Sequence, residues 1–183
     1  MGGIASRGQL RWSFGRWAVV TVPLVLLLGF LSGRSVPGGS DNPWYVALAK
    51  PAINPPDWVF PVAWSLLYVL LGLAVAVVLN ARGARWRWPA VAMFAIEIVA
   101  LMAWQPLFFG AHKVLAAFGL IVVLLAWGIA ITVVFGRVRR AAAWLMVPFL
   151  IWVGFAAVLN WSIHRLNPDA ERLAPASGTS QML

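Results

Sequence analysis

The 183-residue chain has no cysteine, two histidines, two tyrosines and only five acidic residues. Without cysteine there can be no disulfide, thiolate metal site or cysteine nucleophile. His112 and His164 have no second ligand three or four residues away, so neither reads as a metal site. No nucleophile–base pair, phosphate loop or dinucleotide fingerprint is visible, and no cofactor is expected. Charge is scarce altogether, at 10% of residues against about 25% in soluble domains.

What fills the chain instead is apolar: 62% hydrophobic residues and a mean hydropathy of +0.86. These values define an integral membrane protein. Five apolar runs, about 17–33, 58–79, 89–109, 113–135 and 141–163, each approach the roughly 20 residues that a helix needs to cross hydrocarbon. Barrel strands are excluded because the runs are long and do not alternate. The expected fold is therefore all-α, a bundle of five transmembrane helices over residues 17–163 with a lid loop at 34–57. A basic segment, 1–16, precedes it, and a flexible tail, 164–183, carrying Pro168, Pro175 and Ser-Gly-Thr-Ser, follows. Arg7, Arg11 and Arg16 ahead of an apolar run also describe a signal peptide. That run exits through Ser32-Gly33-Arg34 without a clean cleavage site, so a retained helix is expected. Pro23, Pro61, Pro106 and Pro148 lie in or at the ends of spans, where kinks open cavities. Five spans do not divide into the two halves typical of many transporters.

The net charge of +9 speaks of orientation rather than nucleic acid. Nine arginines (7, 11, 16, 82, 85, 87, 137, 139 and 140) fall on one side, and five basic residues share the other with Asp41, Asp57, Asp169 and Glu171. The positive-inside rule puts the N-terminus in the cytoplasm and the proline-rich loop and C-terminus outside. A bacterial inner membrane is the expected location.

Residues 43–68 pack prolines, aromatics and one lysine into the entrance of the second span. Pro43, Pro51, Pro55 and Pro56 fix the backbone and are expected to forbid a regular helix, so Trp44, Tyr45 and Trp58 are presented by a stiff, irregular lid. Of the twelve tryptophans, Trp17, Trp58, Trp86, Trp88, Trp144 and Trp161 lie near span ends, as in an interfacial belt. Trp64, Trp127 and Trp152 lie deeper. Trp64 and Tyr68 are four apart on the second span, as are Trp144, Pro148, Trp152, Ala156 and Asn160 on the fifth. Such stripes serve equally as packed core or as walls of a flat pocket, and spacing does not choose between them. Glu97 is the one ionisable residue deep in a span. It is either a functional site or a neutral carboxyl bonded across a helix interface, the structural role being the simpler.

Three motifs then occur in order: Trp44-Tyr45-x4-Lys50-Pro51-x3-Pro55-Pro56-x-Trp58-Val59-Phe60-Pro61-x2-Trp64-x3-Tyr68, Trp104-x-Pro106-Leu107-Phe108-Phe109-Gly110, and Pro148-Phe149-x2-Trp152-x2-Phe155-Ala156-x2-Leu159-Asn160. Together they resemble the TspO/MBR family, the bacterial tryptophan-rich sensory proteins and the mitochondrial translocator protein or peripheral benzodiazepine receptor, over about residues 20–167. The resemblance implies a five-helix bundle, usually a homodimer, whose cavity under the first loop binds porphyrins. The pocket would be lined by Trp44, Tyr45, Phe60, Trp64, Trp104, Trp152, Ala156, Leu159 and Asn160, with Lys50, Pro51, Pro55 and Pro56 shaping the lid.

The implied function is that of a sensor or regulator of tetrapyrrole or stress responses. The alternatives are a light- and oxygen-dependent porphyrin-degrading enzyme, in which Trp64 and Trp152 would act, and a translocator of tetrapyrroles or other lipophilic ligands. Departures from the family pattern are Glu97 for glutamine, Leu101 for asparagine, and Trp161 for the tyrosine of a proposed cholesterol motif, which leaves sterol binding little support. Ala92, Ala95, Ala100 and Ala103 on the third span offer a small-residue dimer face. Membrane lipid is the other expected partner.

Overall fold

The computed structural model describes residues 7–173, with side chains from Trp12 onward. Five long helices carry the fold: α1 (Arg7–Gly33), α3 (Val59–Asn80), α4 (Arg87–Met102, continued to Gly110), α5 (Val114–Val138) and α6 (Arg140–Leu166). Each is long and apolar enough to cross a membrane. They form a ring in which α1 packs on α3, α3 on α6, α6 on α5 and α5 on α4, and α4 closes back on α3 and α1. Helices are forced here because lipid offers backbone N–H and C=O groups no partner.

Contact between α1 and α3 depends on glycine. A Cβ on Gly72 would sit 2.6 Å from Val22 Cα, so the two backbones approach as only glycine permits. Thr21 Oγ1 lies 2.8 Å from Gly72 O and 2.9 Å from Trp17 O, tying α1 down at that crossing. Lipid tails are as apolar as the core, so close packing and such bonds hold the helices together. Leu71, Val78, Ile131, Phe135, Met146 and Phe149 fill the half of the bundle away from the lid and are fully buried.

The end of the third span departs from α geometry. Pro106 has no N–H to give to Met102 O, and Pro106–Gly110 winds as a π-helical turn. Ser32 Oγ of α1 donates to that freed carbonyl at 3.2 Å. The turn swings Trp104, Phe108 and Phe109 into one aromatic group, with Trp104 stacked on Phe108 at 5.0 Å and 12°.

Two expectations differ from what is seen. The proline-rich lid contains a short helix, α2 (Pro43–Ala47), because Pro43 sits at its first turn, where a missing N–H costs nothing, and Asn42 Oδ1 caps the Tyr45 N–H at 3.0 Å. The first part of the expected flexible tail, from residue 164 to 173, is ordered. α6 runs to Leu166, Asn167 and Ala170 are buried, and a 3₁₀ turn spans Ala170–Leu173. The remainder of that tail, like residues 1–6, lies outside the described residues.

The candidate ligand-binding cavity

Tight contacts hold the lid over the bundle. Asn167 pairs with the Ala49 backbone twice, accepting from its N–H and donating to its carbonyl, both at 2.8 Å. Trp44 Nε1 donates to Ala170 O at 2.8 Å. Lys50 folds back so that Nζ donates to Tyr45 O at 2.9 Å and lies 4.6 Å from the centre of the Tyr45 ring, closing α2 at its C-terminal end. At the other end of the lid, Asn42 Nδ2 donates to Pro37 O and Phe109 O, and Gln105 Nε2 donates to Val36 O. Asp57 Oδ2 accepts from Ser40 N at 2.7 Å, bringing the two margins of the loop together beside Gly39, whose positive φ of 60° suits the turn.

Beneath this lid lies a cavity of about 1150 Å³, somewhat above the roughly 300–1,000 Å³ of ordinary small-molecule sites. Its walls are aromatic. Trp64 stacks on Tyr68 at 5.4 Å and meets Trp152 edge-on at 6.5 Å, while Phe60 meets Trp152 at 6.0 Å. Opposite stand Trp104, Phe108 and Phe109. Two lining groups, Trp104 Nε1 and Asn160 Oδ1, are buried without a hydrogen-bond partner, although Asn160 Nδ2 donates to Val114 O at 3.1 Å. Neither atom has surface open to the cavity itself, so a ligand reaches this donor and acceptor only when the side chains around them shift. Burial raises the pKa of the Tyr45 hydroxyl, nearby Asp57 raises it further, and its bond to Asn54 Oδ1 opposes both.

Of the nine side chains expected to line the pocket, eight do: Tyr45, Phe60, Trp64, Trp104, Trp152, Ala156, Leu159 and Asn160. Trp44 is the exception. Its ring is 2% exposed, packed on Phe108 and His112 with its N–H satisfied by Ala170, so it anchors the lid from behind. Lys50, Pro51, Pro55 and Pro56 belong to the lid and do not line the cavity either. Sequence reasoning missed the contribution of α1, namely Leu26, Gly29, Phe30 and Ser32. A Cβ on Gly29 would fall on the Tyr68 ring, a closeness of α1 and α3 that only the fold reveals.

Glu97 is fully buried, and both carboxyl oxygens lack partners. It is absent from the cavity lining, and its Oε1 lies 3.5 Å from where a Cβ on Gly128 would stand. Trp127, the third deep tryptophan, donates Nε1 to Met93 O at 3.1 Å and joins α5 to α4. Among the expected belt residues, Trp58, Trp86, Trp88, Trp144 and Trp161 are exposed, whereas Trp17 packs against the core. Among the described residues no group of three or more His, Asp or Glu is placed to hold a metal ion.

Five spans closed by a pinned lid over an aromatic cavity define an integral membrane protein. The TspO/MBR family model matches residues 20–166, and the chain belongs to that family. It is 39% identical to "Tryptophan-rich protein TspO" of Chlorobaculum tepidum over 80% of this chain and 93% of the relative. It is also 39% identical to "Protein CrtK" of Rhodobacter capsulatus over 70% and 81%. With the human "Translocator protein" it shares 32% identity over 76% of this chain and 84% of the relative.

Proposed function

We propose that the protein binds a porphyrin or related tetrapyrrole in this cavity and serves as a sensor or regulator of tetrapyrrole status or stress. The observation that carries the reading is a cavity of about 1150 Å³ walled by flat aromatic rings, with two unpartnered polar atoms, Trp104 Nε1 and Asn160 Oδ1, buried within its lining residues. Stacking suits a planar macrocycle, and the polar pair suits its edge. A soluble protoporphyrin titration followed by tryptophan quenching tests it. Asn160→Leu and Trp104→Phe should each weaken binding by roughly three- to tenfold, the weight of one buried hydrogen bond. Unchanged affinity in both would refute the polar pair, and no saturable quenching in the wild-type protein would refute tetrapyrrole binding.

Light-dependent porphyrin breakdown is a second reading, supported by the Trp64 and Trp152 rings, which meet at 6.5 Å and both line the cavity. It predicts light- and oxygen-dependent loss of porphyrin absorption that Trp64→Phe or Trp152→Phe stops without preventing binding. A translocator gains less support, because the half of the bundle beyond the cavity is filled by fully buried side chains such as Leu71, Ile131 and Phe135.

The arginine distribution supports an N-terminus in the cytoplasm of a bacterial inner membrane and a C-terminus outside. A reporter active only in the cytoplasm, fused after Leu183, should then be silent. A second copy would meet this one through α4, where Ala92, Ala95 and Ala103 are exposed while Ala100 packs inward.

A further inference from the structure

The end of the bundle opposite the lid gathers cations without a single carboxylate. The α3–α4 turn brings Arg82, Arg85 and Arg87, and the α5–α6 junction brings Arg137, Arg139 and Arg140. Four of the five acidic residues lie at the lid end, and the fifth is Glu97 in mid-span. Both ion pairs among the described residues, Lys113–Glu171 and Arg172–Asp169, are also at the lid end.

Two of these arginines converge on one ring. The guanidinium of Arg85 lies 5.8 Å from the centre of Trp86, and that of Arg137, from the end of α5, lies 5.5 Å from the same centre. Each contact is favourable as a cation–π pair, and an anion shared by the two guanidinium groups would offset their mutual repulsion. Arg87 adds a third cation, 4.7 Å from the Trp88 ring, with Nε buried and unpartnered. Independently, the two helices that start here, α4 and α6, have no acidic residue in the first turn and no side-chain cap, so their N-terminal N–H groups and dipoles point at the same region.

We propose that Arg85, Trp86 and Arg137 form a binding site for the phosphate of an anionic phospholipid headgroup. Guanidinium forks match phosphate oxygens, and the indole sits at headgroup depth. The lipid, rather than a free phosphate, is favoured by what lies along the helix from Arg137. Val133 and Ile129, one and two turns back along α5, are 53% and 50% exposed and offer an apolar track for an acyl chain. The site lies at the opposite end from the cavity and does not depend on what the cavity binds.

Native mass spectrometry of the purified protein in detergent with equal phosphatidylglycerol and phosphatidylcholine tests the site. The wild-type protein should retain phosphatidylglycerol preferentially, and Arg85→Gln with Arg137→Gln should reduce that preference by about tenfold or more, each arginine near an anionic surface being worth about fivefold. Lys113→Gln with Arg165→Gln, at the lid end, should leave it unchanged. Arg137→Lys keeps the charge without the fork. It should bind less than wild type, and it reports on the site if the double variant does not fold. No preference in the wild-type protein, or an equal loss in the lid-end variant, would overturn the proposal. So would displacement of the lipid by an equimolar soluble glycerol phosphate, which would assign the site to free phosphate.

Discussion

Trp44 and Ala170 stand 126 positions apart in sequence, yet the Trp44 indole N–H donates to the Ala170 carbonyl at 2.8 Å. The lid is thereby fastened to the chain that follows the last span, and Asn167 repeats the connection through its two bonds to Ala49. Order in the lid and order after α6 are one property.

That coupling can be measured at Asn167. Asn167→Ala removes both bonds to Ala49, each contributing about 1 kcal/mol net. Proteolysis within residues 34–57 should quicken and porphyrin affinity should fall by roughly three- to tenfold, while helical content by circular dichroism stays the same. Unchanged proteolysis would mean that the lid stands without this tie.

Tyr45 sets a pH limit. Its pKa in the folded protein is raised above the ordinary 10.0, chiefly by burial and then by Asp57. A raised folded pKa means that the contribution to lid stability is fully present below pH 10.0 and is lost as pH rises through the folded value. Ligand affinity should therefore be flat through neutral pH and decline only in the alkaline range above 10.0, and Tyr45→Phe should remove the part of that decline owed to this hydroxyl. Spectrophotometric titration of affinity against pH in both proteins provides the check. A decline that begins near neutrality, or one that Tyr45→Phe does not alter, would assign the pH limit to another group.

Glu97 lies outside the cavity lining with both carboxyl oxygens unpartnered. Glu97→Gln keeps the shape and the neutral hydrogen-bonding capacity of a protonated acid, so melting temperature and porphyrin affinity should hardly move. A fall of more than about tenfold in affinity, or about 1.4 kcal/mol, would show that a charge or a titrating proton at this position reaches the ligand.

Gly72→Ala should separate α1 from α3, since the new methyl would meet backbone atoms of Val22 at 2.6 Å. The expected cost is about 1–3 kcal/mol of stability, seen as a lower melting temperature in detergent. Gly154→Ala, where the added methyl meets nothing within 4 Å, is the matched control and should be neutral.

The five spans were legible because lipid imposes length and apolarity on every helix that crosses it, and composition reports both directly. Trp64, Trp152, Ala156 and Asn160 were legible as stripes on single helices. Contacts that depend on distant chain were not. Nothing around Trp44 indicates that Ala170 will take its N–H, and Asn167 reads as the start of a tail until Ala49 is brought beside it. The face of α1 was hidden for a different reason. Its apolar run is uniform, so the sides of the helix that meet Tyr68 and the cavity carry no periodic mark.

Filling the cavity from one wall tests the central claim most directly. Ala156 lines it beside Trp152 and Asn160, and Ala156→Trp would place an indole where the macrocycle is expected to lie. Protoporphyrin binding, followed by tryptophan quenching, should fall by at least about a hundredfold, beyond what the loss of any single contact explains. Val123→Trp, on the exposed face of α5, should bind as the wild-type protein does, and both variants should retain their helical content. Full-affinity binding by a folded Ala156→Trp protein would contradict the account and move the ligand out of this cavity.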